Sequence, residues 1–194
     1  MSKLVFFVGP AGAGKTTLGQ AIAARHQMTF LDMDILLRPA SRLIMTMQGL
    51  DPDDRDSPEY KRLCRDLGYQ ITMEAALDNV RLGIDTVVVG PFTKEMQDAE
   101  WISRELARIG FSVEEVDVKA AVVYLPHESL YQERIARRGL KLDAWKLERW
   151  EEFRSSLAPR TLAWRIPESS IAYINNSNPD TEKTLMQIEN WIWP

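Results

Sequence analysis

The residues with the clearest chemistry are Gly9-Pro10-Ala11-Gly12-Ala13-Gly14-Lys15-Thr16, which match G-x-x-x-x-G-K-[ST] at every fixed position. Glycines at this spacing let a backbone curl so that successive N–H groups point inward at phosphate oxygens. A helix that starts at the end of such a loop aims its positive dipole end at the same anion. Lys15 supplies a point charge to the β- and γ-phosphates, and the Thr16 hydroxyl is placed to ligate Mg²⁺. The segment from Gly9 to Thr17, with Gly12, Ala13 and Gly14 inside it, is expected to hold a nucleoside triphosphate, ATP with Mg²⁺. The motif demands a strand before it and a helix after it, and both patterns are present.

Two carboxylates could complete a phosphoryl-transfer site. Asp32 and Asp34 follow the apolar run Thr29–Leu31. Strand ends of this kind face the binding crevice of an open α/β sheet. Residues two apart in an extended segment share a side. One carboxylate can enter the metal shell while the other takes a proton from a substrate hydroxyl. Asp34 is assigned as the base and Asp32 as the metal or substrate ligand; the competing reading is that one or both cap the next helix.

Cations form a second constellation. Arg134, Arg137 and Arg138 lie three and four residues apart, on one helix face. Arg134 or Arg138 would contact the ATP phosphates, and Arg137 would stabilise charge during transfer, because a planar guanidinium binds two phosphate oxygens. The alternative is that these arginines only complement a helix C-terminus. Lys141 and Lys146 are secondary lid candidates. Arg38 and Arg42, close behind Asp34, are candidates for an anionic or polyol substrate. Gly90 and Phe92 end another apolar run and could line an acceptor pocket, with Phe92 equally readable as core.

Five short runs have the length and β-branched content of buried parallel strands: Leu4–Val8, Thr29–Leu31, Thr86–Val89, Ala121–Leu125 and Ile171–Ile174. Helical patterns lie between them, over Lys15–Arg25, from Asp56 and Pro58 to Gly83, over Glu95–Ile109, from His127 to Gly139, over Asp143–Ser156 and after Asp180. Alternation of this kind predicts an α/β fold with a parallel sheet covered on both faces. The rhythm breaks twice. Residues 38–57 read as a long polar connection, and residues 38–65 are the candidate substrate-binding segment; residues 139–147 are the candidate lid.

The chain of 194 residues, 45% hydrophobic and 27% charged, reads as one domain spanning residues 1–194. A net charge of −4 offers no basic surplus, which argues against a polynucleotide partner. Leu4–Val8 is too short to cross a bilayer. Cys64 is a single thiol, so no internal disulfide forms, which fits a reducing cytoplasm; its place between Leu63 and Leu67 suits a small core hydrophobe. A ring ATPase would need a longer chain and a strand ending in Asp-Glu, whereas the third run ends in Gly90. No Asn-Lys-x-Asp guanine signature is present. A monomer or dimer acting on a small molecule fits best.

Four segments resemble the nucleoside-monophosphate-kinase-like group of P-loop kinases. Within it, the chain is similar to the small AAA-type ATP-binding kinases related to zeta toxin, chloramphenicol phosphotransferase, gluconate kinase and shikimate kinase. They are Gly9–Thr17, Leu31-Asp32-Met33-Asp34, the run from Val122 through Arg134, Arg137 and Arg138, and Ala172–Pro179. The resemblance implies a three-layer P-loop NTPase fold, a five-stranded parallel sheet in the order 2-3-1-4-5, and a small lid between the fourth and fifth strands. It also implies that the turn holding Asn176 borders adenine. The third strand lacks a terminal Asp for the metal, which assigns more of that work to Asp32 and Asp34. The function implied is transfer of the γ-phosphate of ATP to a hydroxyl of a small molecule. A zeta-toxin-like kinase for a nucleotide sugar and an ATP-dependent regulatory module with slow hydrolysis are the alternatives.

Overall fold

A computed structural model describes residues 1–139, 143–158 and 160–194. Its centre is β1 (Lys3–Val8), a run of apolar side chains that alternate between two cores. Leu4, Phe6 and Val8 face one core, and Val5 and Phe7 face the other. β1 pairs in parallel with β3 (Thr86–Val89) on one side and β4 (Asp117–Tyr124) on the other. β2 (Thr29–Asp32) pairs with β3, and β5 (Ile171–Asn175) with β4, so the order is β2-β3-β1-β4-β5. All four pairings run parallel, as strands joined by helical crossovers must.

Helices cover both faces. α1 (Lys15–Arg25) and α8 (Thr181–Ile192) bury Leu18, Ile22, Leu185 and Ile188 against the Phe7 face. α3 (Pro58–Arg81) and α4 (Trp101–Ala107) bury Tyr69, Met73, Leu77, Ile102 and Leu106 against the Phe6 face. α5 (Glu128–Arg138) follows β4 and ends at Gly139, whose φ of 59° is the left-handed stop that glycine tolerates.

Two expectations are corrected. Residues 38–57 are not one long connection, because α2 (Met33–Met47) occupies most of them. Pro39 lies inside α2 and removes one helical N–H, which is why the sequence reads as broken there. The buried stripe Met33, Leu37, Ser41 and Met45 outweighs that loss by packing on α3. The approach is close: a Cβ on Gly68 of α3 would stand 2.8 Å from Leu37 Cδ2. The other correction concerns residues 143–156, which divide into α6 (Ala144–Glu148), α7 (Trp150–Phe153) and a 3-10 turn over Arg154–Leu157. The start of α3 also moves by one residue. Ser57, not Asp56, accepts the Tyr60 N–H at 3.0 Å as its cap.

Cys64 is fully buried beside Leu37 and Met45, between α2 and α3. Phe6, Phe92, Trp101 and Trp164 make an edge-and-stack aromatic cluster with centroids 4.9–6.0 Å apart. Among the described residues no helix is long and apolar enough to cross a membrane.

Candidate active site

The phosphate loop leaves β1 at Gly9, where φ is 129°. A side chain there would run into the backbone carbonyl oxygen of Val123 on the neighbouring strand, so the loop can leave the sheet only at a glycine. Gly12 and Gly14 also hold positive φ, 85° and 96°. Gly14 caps α1 without any side-chain acceptor, so the N-terminus of α1 has no side-chain cap. Thr17 is exposed in the first turn. Lys15 Nζ donates to the carbonyl of Pro10 at 2.8 Å, inside its own loop. Crowding by protein atoms lowers its pKa from the usual 10.5 to about 8; Asp34 and then Asp32 oppose the drop, while Arg138 and Lys146 add to it. Part of the Lys15 surface still faces solvent, which is the route by which an anion reaches the ammonium.

Asp32 ends β2 and performs two tasks at once. Its Oδ1 accepts the N–H groups of Asp34 at 2.9 Å and Ile35 at 3.3 Å, capping α2, and its Oδ2 accepts the Thr16 hydroxyl at 2.8 Å. The cap and the site are therefore not alternatives for this residue. Asp34 is in the first turn of α2 rather than in an extended segment, and it is exposed. The same-side argument for the pair thus fails, and the helix turn separates their surroundings: a buried Asp32 against the loop, an open Asp34 beyond it. A hydroxyl and a carboxylate in contact are hard oxygen donors of the kind Mg²⁺ takes. No cluster of three or more His, Cys, Asp or Glu occurs among the described residues.

The arginines separate by role. Arg134 Nη2 donates to the Asn176 carbonyl at 2.6 Å, and Asn176 Nδ2 donates to the Ala13 carbonyl at 2.8 Å. α5 and the turn after β5 are in this way tied to the second half of the loop. Loss of solvent, and then the neighbouring Arg137, lower the Arg134 pKa from its ordinary value. Arg138 Nη2 donates to Asp143 Oδ1 at 3.3 Å and stands 3.2 Å from Oδ2, an ion-pair distance that lacks hydrogen-bond alignment. Arg137 is exposed and forms no ion pair among the described residues. Lys146 Nζ bridges Asp143 Oδ1 and Asp56 Oδ2, each at 3.1 Å. Within the candidate lid at 139–147, Lys146 of α6 is therefore tied to Asp56 of the turn before α3. Lys141 lies outside the described residues, as do 140 and 142.

Other expected residues fall elsewhere. Arg38 and Arg42 are exposed on α2, and Arg42 is 3.8 Å from Asp53. No hydrogen bond or ion pair ties either arginine to the phosphate loop among the described residues. The expectation that Gly90 and Phe92 line a pocket is corrected: both are buried, and Phe92 has no exposed surface. A Cβ on Gly90 would stand 2.8 Å from the Phe92 ring, so the glycine makes room for the ring rather than for a ligand. Three residues were missed. Asp56 and Asp143 read as helix starts, and only the Asp143–Lys146 spacing of three hinted at a pair. Tyr60, in the first turn of α3, has its phenol pushed up to about 12, first by burial and then by the charge of Asp34.

Parts of this sequence are similar to known proteins. The chain is 29% identical over 138 residues to the bifunctional pantoate ligase/cytidylate kinase of Synechococcus sp. (strain CC9311), covering 71% of this chain and 24% of that protein. It is 51% identical over 49 residues to shikimate kinase of Burkholderia lata, covering 23% of this chain and 27% of that protein. The chain thus spans about a quarter of the length of each relative. Among solved structures, a sugar kinase from Janibacter sp. HTCC2649 superposes with a TM-score of 0.61 at 15% identity, over 99% of this chain and 95% of that one. Likeness at that identity speaks for the fold, which is the P-loop kinase fold that β2-β3-β1-β4-β5 and the glycine loop already describe. The AAA domain family matches residues 4–160, most of the chain and every strand but the last, and this protein belongs to that family.

Proposed function

We propose that the protein is an ATP-dependent phosphotransferase that moves the γ-phosphate of ATP to a hydroxyl of a small molecule. The observation that carries this reading is the 2.8 Å contact of Thr16 with Asp32, which joins the triphosphate loop to the strand end that presents Asp34. A switch or binding module needs the loop but not an open carboxylate one helical turn from it. In the reaction, the acceptor O–H gives its proton to the Asp34 carboxylate as the oxygen bonds to the γ-phosphorus. The bond from that phosphorus to the bridging oxygen breaks, and ADP leaves with the electron pair. Lys15 and Arg138 offset charge on the phosphate oxygens, Arg137 is free to do so when the lid closes, and Arg134 and Asn176 hold the loop in shape. The Thr16 hydroxyl and the Asp32 carboxylate would hold a Mg²⁺ ion, which would supply further charge neutralisation. The single buried Cys64 supports a reducing, cytoplasmic setting.

The test is a coupled ADP-release screen over hydroxylated metabolites, nucleosides, nucleotide sugars and antibiotics. Once an acceptor is found, Asp34→Asn is expected to slow transfer by about 10²–10⁴-fold while ATP affinity stays nearly constant. Wild-type turnover by this variant would sink the assignment of the base. No stimulation by any acceptor would favour the regulatory module.

A further inference from the structure

A cavity of about 350 Å³ opens at the carboxyl ends of the adjacent strands β3, β1 and β4. Pro91 and Thr93 follow β3, Gly9 and Pro10 follow β1, and Leu125 follows β4. Ser156, Arg160 and Thr161 reach it from the segment before β5. Crevices at strand ends of this kind take ligands in open α/β sheets, and the volume suits a small organic molecule. None of Lys15, Thr16, Asp32 and Asp34 lines the cavity. The second half of the loop is covered from elsewhere, by Arg134 and Asn176 at the Ala13 carbonyl. The cavity is therefore a pocket of its own beside the triphosphate loop, not a part of the transfer site.

Its walls carry one sign of charge. The chain has more acidic than basic residues, 28 Asp and Glu against 24 Lys and Arg, yet no Asp or Glu lines this cavity. The single cation of the lining is Arg160, which is half-buried and forms no ion pair among the described residues. Its guanidinium is a planar fork of N–H donors with no carboxylate to meet it.

The phenols point the same way. Tyr131 Oη accepts the Leu125 N–H at 2.7 Å, and Tyr173 Oη accepts the Leu162 N–H at 3.2 Å. Neither donates its own proton to an acceptor among the described residues. Burial raises the Tyr131 phenol above its ordinary value, which keeps that proton on the oxygen. Tyr124, Thr93, Ser156 and Thr161 add hydroxyls that make no hydrogen bond among the described residues. Met96, Val122 and Leu157 supply apolar wall, and Pro10 adds a ring that has no N–H. A cation finds no counter-charge in such a space, and a neutral ligand leaves the guanidinium unpaired. A carboxylate meets the planar fork with two oxygens and cancels its single charge, whereas a phosphate dianion leaves charge over.

We propose that this cavity binds a small organic monoanion, a carboxylate on a flat apolar body, with Arg160 as its counter-ion. The proposal does not rest on the kinase reading, because binding is read without transfer. The full chain is titrated by ligand-observed NMR with benzoate, phenylacetate and cinnamate, and with benzamide, benzylammonium and phenyl phosphate for comparison. A second series contains saturating ATP. At least one carboxylate is expected to bind at least tenfold tighter than benzamide and benzylammonium, to keep its affinity with ATP present, and to lose at least tenfold in Arg160→Gln. Thr161→Trp, which adds bulk from an exposed position, is expected to show the same loss. ATP titrations that match the wild type report that both variants are folded. Lys15→Ala is expected to keep carboxylate binding. Equal binding of benzamide and the carboxylates, full carboxylate binding by folded Arg160→Gln or Thr161→Trp, or no carboxylate binding at all overturns the proposal. Displacement by ATP, or loss in Lys15→Ala, places the anion on the phosphate loop and overturns it as well. Phenyl phosphate binding tighter than every carboxylate overturns the assignment of a monoanion.

Discussion

Burial holds the Lys15 ammonium at about 8, which makes its charge a variable of the reaction rather than a constant. The sign follows from the direction of the shift. The charged form, which attracts phosphate, is present below that value and is lost as the pH rises through it. ATP affinity of the free protein is expected to weaken by up to about tenfold between about pH 7 and about pH 9. Calorimetric titration checks this. Lys15→Arg should flatten the profile, because a guanidinium stays charged throughout. A wild-type profile as flat as that of the arginine variant would refute the depressed lysine. Asp32 shows the opposite logic: its carboxylate accepts the Thr16 hydroxyl and two backbone N–H groups, so it is committed to position. Asp34 is exposed in the first turn of α2 and is the carboxylate proposed above as the base.

At the scale of elements, one lysine ties α6 to the turn before α3. Lys146 of α6 is only 12% exposed, and it bridges Asp143 at the start of its own helix to Asp56 in the turn before α3. Arg138 at the end of α5 completes the set by reaching Asp143. A buried charge that serves two partners is coupled to both, and removing it leaves two carboxylates facing each other. Urea denaturation of Lys146→Met, Asp56→Asn and the double variant is expected to give a coupling energy of about 1–3 kcal/mol. Additive effects would mean that α6 and the 51–57 turn do not hold each other. The same elements show why local patterns mislead. Asp143 and Asp56 were legible as helix starts because a carboxylate before a helix is a familiar local signal. Their shared partner lies far along the chain and left no such signal.

For the whole molecule, the central question is which strand ends are open and which are filled. Phe92, with φ of 45° and no exposed surface, plugs the end of β3 against Phe6, Tyr69 and Trp101. Phe92→Ala is expected to cost about 3–5 kcal/mol of stability, read from denaturant unfolding. An unchanged unfolding midpoint with an altered acceptor KM would return Phe92 to the pocket. The sequence by itself determined the phosphate loop, because its chemistry is local: three glycines, a lysine and a threonine do their work within eight residues of backbone. It also placed four of the strands to within one residue, since a run buried on both faces must be apolar throughout, whereas β4 begins at Asp117, before its apolar run, where it pairs with Lys3 of β1. Residues 33–47 were not legible as a helix. Pro39 breaks the local pattern, and only the packing of Leu37 against Gly68 on α3 restores it. That Phe92 is buried while its neighbours Pro91 and Thr93 stay half-buried was likewise a tertiary decision. So was the double use of Asp32, since the Thr16 hydroxyl that meets it belongs to another strand's loop. Contacts of this kind depend on which segments the sheet order brings together, and no spacing within a single segment encodes that.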